Sequence, residues 1–65
     1  MSTKTWQPRT IGDVAQVVTI SIFETSDTLR NALRFAEQFD AEQGIEEGVY
    51  ARRIRAELTR RGESF

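Results

Sequence analysis

One run of residues, Val14-Ala15-Gln16-Val17-Val18-Thr19-Ile20-Ser21-Ile22-Phe23, decides which folds are open to this chain. Its second half is dense in β-branched residues, which are stiff in a helix and suit a pleated surface. Val18, Ile20 and Ile22 alternate with Thr19 and Ser21, the period of a strand with one buried face. This pattern predicts a strand over residues 14–23. Phe23 then falls on the face opposite the three aliphatic residues, where it is either covered by a helix or left for a partner. Upstream, Gly12-Asp13 is a two-residue hairpin signal that would fold Thr5–Ile11 back against Val14–Ile20. Pro8, which cannot donate to a ladder, would confine that first strand to the sheet edge. A second periodicity runs through the same residues. Ile11, Ala15, Val18, Ile22, Thr25, Leu29, Ala32, Ala36 and Phe39 follow alternating spacings of four and three, the seam of one long helix over 11–39. The strand reading is preferred because that seam crosses Glu24-Thr25-Ser26-Asp27-Thr28, whose short polar side chains favour caps and turns.

Two helices follow. The first is expected over 27–43, capped by Ser26 or Asp27. Leu29, Ala32, Leu33, Ala36 and Phe39 form its apolar stripe, with Phe35 at the edge, while Arg30, Arg34, Glu37 and Gln38 lie opposite, Glu37 close enough to Arg34 and Arg30 to pair within the helix. Gly44 is its stop, accepting the left-handed conformation cheaply. The second helix is expected over 46–61, with Glu46 and Glu47 in its first turn and Arg60 and Arg61 in its last, both favourable to the helix dipole. Its stripe is narrow: Tyr50, Ala51, Ile54 and Leu58, with Val49 away from it and Gly62 as its stop. Gly48 falls inside the first turn and weakens the helix. The fold class so read is α+β: one strand, or an N-terminal β-hairpin, followed by a two-helix hairpin, with dimerisation through the strand as one way to satisfy its edge. Residues 1–65 form a single small domain, in which 1–10 is a flexible arm or the edge strand.

A chain of 65 residues with no Cys and no His has neither disulfides nor the usual zinc ligands to reinforce a small core. Docking or self-association remains as a route to further burial. No signal-peptide core and no apolar run of membrane-spanning length is present, so a soluble, cytoplasmic protein with no membrane partner is expected. Charge is segregated. Residues 11–47 carry eight acids against Arg30 and Arg34, and residues 48–65 carry five arginines against Glu57 and Glu63. The plain account is two solvated helices that neutralise each other. The functional one is a basic face awaiting an acidic partner.

Catalysis needs a positioned nucleophile, an acid–base pair, a metal or a cofactor. The one lysine is Lys4, and the four glycines are scattered, so no phosphate-cradling loop is read and no cofactor is expected. Asp40, Glu42, Glu46 and Glu47 cluster around the inter-helix turn. They lack calcium-loop spacing and read as a solvated loop, and no metal site is assigned. The chain is therefore expected not to be an enzyme. Trp6, the one tryptophan, either covers an open end of the core or anchors an interface.

The succession Val18-Thr19-Ile20-Ser21-Ile22, then Leu29, Leu33 and Ala36, then Gly44, then Tyr50, Ile54 and Leu58 resembles the ribbon-helix-helix family of dimeric repressors over residues 17–60. The resemblance implies antiparallel pairing of two strands across a homodimer. It further implies Thr19 and Ser21 facing DNA bases, and the last helix meeting a phosphate at its N-terminus. That DNA-binding repressor is the second reading. The first, reached by elimination, is a small protein-binding module: an inhibitor, antitoxin or adaptor of a larger protein or nucleoprotein complex. In size and composition it is similar to phage and mobile-element proteins such as anti-CRISPR-like inhibitors. Its candidate contact residues are Trp6, Phe23, Glu42, Glu46, Glu47, Arg52, Arg53 and Arg60, chosen for exposure and chemistry.

Overall fold

In a computed structural model that describes residues 6–65, the described residues form three α-helices, α1 (Ile11–Thr19), α2 (Ser26–Glu42) and α3 (Val49–Arg61), with a 3₁₀ turn at Ser21–Phe23 between α1 and α2. No strand is present among the described residues. The α+β expectation is overturned, and with it the strand over 14–23, the N-terminal hairpin and dimerisation by strand pairing. The proposed edge strand falls partly on residues 1–5, which lie outside the described residues, and residues 6–10 run as irregular backbone into α1.

The reason is a helix-start signal that outweighs β-propensity. Thr10-Ile11-Gly12-Asp13 forms a reciprocal capping box. The Asp13 amide donates to Thr10 Oγ1 at 3.3 Å, and Asp13 Oδ2 accepts from the amides of Thr10 (3.3 Å) and Arg9 (2.9 Å). These bonds satisfy amides that a helix start leaves orphaned. Gly12-Asp13 is thus the first turn of a helix, not the tip of a hairpin. Within α1, Val14 and Val17 are buried and Ile11 and Val18 are partly buried against the same core. Their spacing is helical, and the alternation Val18–Ile20–Ile22 is not used. Thr19 closes the helix by donating its hydroxyl to the Ala15 carbonyl at 2.9 Å.

The single long helix over 11–39 is not formed either. The backbone leaves α1 at Ile20, turns through Ser21–Phe23, and restarts at Thr25, whose Oγ1 accepts from the Thr28 amide at 3.2 Å. The cap is therefore Thr25, one or two residues earlier than expected. Leu29, Ala32, Leu33 and Ala36 of α2 are buried against Val14 and Val17 on one side and Ala51, Ile54 and Leu58 of α3 on the other. Phe35 and Tyr50 pack partly buried at the margin of this core. α2 is the central helix, with α1 and α3 packed on it and touching each other.

The α2–α3 connection departs from expectation at its second half. α3 begins at Val49, three residues later than read, and Gly48 is its N-cap and not an interior residue. Glu46 and Glu47 precede the helix. Asp40, buried on α2, accepts from the Gly48 amide through Oδ2 at 2.8 Å, placing a carboxylate at the positive end of α3. The approach is so close that a Cβ on Gly48 would stand 2.6 Å from Asp40 Oδ1. At the other end Gly62 adopts φ 74°, and the Glu63 amide returns to the Leu58 carbonyl at 2.9 Å, a glycine-terminated helix end.

Candidate functional site

The three-helix packing leaves two open grooves on either side of α1. The first, of about 250 Å³, runs between α1 and α3 and is lined by Val18, Ser21, Arg53, Ala56, Glu57 and Arg60. The second, of about 340 Å³, is lined by Trp6, Asp13, Gln16, Val17, Ile20, Glu24 and Thr28. Between them projects the 3₁₀ turn. Its Ile22 and Phe23 are 63% and 83% exposed, with Ile20 partly exposed beside them. The strand reading put Ile20 and Ile22 in the core. The turn carries both outward instead, joining Phe23 in one apolar surface.

That surface is held in place by charge. Glu57, almost fully buried, accepts from Arg60 Nε (3.1 Å, at Oε1) and Nη2 (2.6 Å, at Oε2), and from Arg61 Nε (2.8 Å, at Oε2). Hydrogen bonds from Arg60 and then Arg61 hold its carboxyl down at about 2, against an ordinary value of 4.5, and the same pairing raises Arg60. With Nε committed to Glu57, Arg61 extends Nη2 to the Ser21 carbonyl (2.9 Å) and Nη1 to Ser26 Oγ (3.3 Å). One guanidinium so ties the end of α3 to the turn and to the start of α2.

Of the residues singled out from sequence, the structure brings Arg53 and Arg60 together on the α1–α3 groove, with Phe23 on the turn at its end. Arg53 makes no ion pair among the described residues. Arg52 points away and lies 3.7 Å from Glu47. Glu47 is engaged within the fold: Arg55 of α3 bridges it to Glu37 of α2, which raises the Arg55 pKa, Glu37 being the larger cause. Glu37 therefore pairs across helices, not with Arg30 or Arg34. Arg30 holds Asp27 (2.8 Å), Glu63 (2.7 Å) and the Ser64 carbonyl (3.0 Å), and Arg34 binds the Asn31 side chain. Glu42 and Glu46 are exposed near the α2–α3 connection, remote in sequence from the turn. Trp6, 37% exposed, lies on the second groove, its carbonyl accepting from the buried Asn31 side chain at 2.8 Å.

Thr19 and Ser21, the candidate base contacts, do not form a ribbon. Thr19 spends its hydroxyl inside α1, and Ser21 lines the groove with its carbonyl taken by Arg61. A two-stranded DNA reader has no counterpart in the described residues. Sequence reasoning missed Ile20 and Ile22 as surface residues. The signal was Thr10-x-x-Asp13, which sets the helical register and so decides which aliphatics face out.

No group of three or more Asp or Glu side chains able to hold a metal ion occurs among the described residues, and no helix there is long and apolar enough to cross a membrane. Comparison with family models, curated proteins and solved structures finds no match to this chain.

Proposed function

We propose that this protein is a non-enzymatic, cytoplasmic protein-binding protein, an inhibitor, antitoxin or adaptor that acts by docking onto a larger partner. The observation that carries this reading is the exposure of Ile22 and Phe23 on a turn that Arg61 pins to the rest of the fold. Burying an aromatic or large aliphatic side chain stabilises by about 1.5–3 kcal/mol. A chain with a small aliphatic core leaves that much unused on each of these residues in the free state, and recovers it when a partner covers the turn. Apolar anchors surrounded by arginines are the composition of interface hot spots, and a pre-formed turn lowers the ordering cost of binding.

The test is photo-crosslinking in cells of the protein's source, with p-benzoylphenylalanine in place of Phe23. The expected result is a discrete adduct containing one additional protein, lost on adding Ile22→Asp while helicity by circular dichroism is unchanged. Absence of any protein adduct, or adducts with nucleic acid alone, would overturn the reading.

A further inference from the structure

The α1–α3 groove gathers three arginines around one carboxylate over an apolar floor. Arg60 and Arg61 share the one carboxylate of Glu57, and Arg53 has no acidic partner among the described residues. Val18 and Ala56 form the floor. Val49, Arg53, Ala56 and Arg60 lie at i, i+4, i+7 and i+11, one face of α3. That face alternates apolar and cationic positions over about 17 Å, the length of roughly three helical turns. It has an exposed valine at one end and Ile22 and Phe23 near the other.

From this alternation we propose that the groove takes an acidic amphipathic helix of the partner protein, its aliphatic side chains over Val18 and Ala56 and its carboxylates on Arg53 and Arg60. The assignment rests on the protein-docking reading above and names the partner's chemistry. A helix laid in a groove is read by apolar anchors at helical spacing. Arginine favours carboxylates through its planar array of donors. A nucleic-acid backbone would use the arginines but leave Val49, Ile22 and Phe23 in water. A second copy would have to offer a different surface, the Phe35–Gln38–Phe39–Glu42 face of α2. Contacts between unlike surfaces grow head to tail unless the rotation closes.

The experiment is selection of a display library of random helical peptides, of about three to four turns, against the full chain. Enriched peptides are expected to combine Glu or Asp with Leu, Ile or Phe at i, i+3, i+4 spacing, and to shift the amide resonances of Val18, Ser21 and Ala56. Their affinity should fall about tenfold or more in Arg53→Glu, where like charges face each other. That variant leaves the Glu57 pairs intact, and Arg53→Glu with Arg60→Glu should be weaker still. No enrichment, enrichment of basic or uncharged peptides, or shifts confined to the Trp6 groove would overturn the proposal. So would duplex DNA binding at low salt, or self-association in sedimentation, that Arg53→Glu abolishes. The Phe23 crosslink separates this proposal from the one beneath it. A protein adduct that persists undiminished in the double charge reversal would sink the acidic-helix assignment and leave protein docking standing.

Discussion

Asp40 and Gly48 illustrate how much of this fold depends on single atoms. The Asp40 carboxylate is buried, accepts from the Gly48 amide and stands at the N-terminus of α3. The fit requires that Gly48 have no Cβ, since one would stand 2.6 Å from Asp40 Oδ1. The glycine is there for room: its φ of −79° is open to any residue. Losing a helix-capping oxygen costs about 1 kcal/mol, within a range of roughly 0.5–2. Asp40→Ala is therefore expected to lower the unfolding free energy by that amount, seen as a lower urea midpoint with an unchanged slope. Gly48→Ala, which pushes the carboxylate aside, is expected to destabilise similarly. Because both act on one contact, the double variant should cost clearly less than the sum, and full additivity would show that the two residues do not interact.

At the scale of elements, α2 was the most legible part. Its stripe has only one period, and the structure buries Leu29, Ala32, Leu33 and Ala36 while leaving Phe39, the fifth expected member, half-buried. α3 was legible at its end, where Gly62 stops it, but not at its start. Glu46 and Glu47 suit a first turn as well as a loop, and only the contact between Asp40 and Gly48 settles where the helix begins. α1 was misread because its residues satisfy two periods at once. Val18-Thr19-Ile20-Ser21-Ile22 alternates, and Ile11, Val14, Val17 and Val18 also share a helical face. Local capping chose between them, and tertiary burial on α2 outweighed β-propensity. The surface followed from that choice: Ile22 and Phe23 emerge on the same turn only because α1 ends at Thr19. The capping box is accordingly the feature to test. Thr10→Ala with Asp13→Ala is expected to cost about 1–2 kcal/mol in thermal or urea unfolding and to raise amide exchange across α1 more than across α2. Equal loosening of both helices would contradict this account.

For the molecule as a whole, the buried carboxylate of Glu57 orients Arg61, the side chain through which α3, the turn and α2 meet. The folded Glu57 pKa of about 2 lies below the ordinary 4.5, so the native state binds its proton less readily than the unfolded chain. The stabilisation is complete above about pH 4.5, erodes as pH falls below it, and is gone once pH passes through about 2. Acid titration of stability should therefore show a decline in this window that is shallower in Glu57→Gln, measured by circular dichroism. A wild-type and a Glu57→Gln profile of identical shape would refute it.

The seating of Trp6 has a consequence of its own. The chain's one tryptophan lies on the groove on the far side of α1 from Arg53, its backbone carbonyl accepting from the Asn31 side chain. The molecule so carries an internal fluorophore whose emission tells whether the segment ahead of α1 is seated on α2. It monitors one flank of the protein while leaving the opposite flank free of any label.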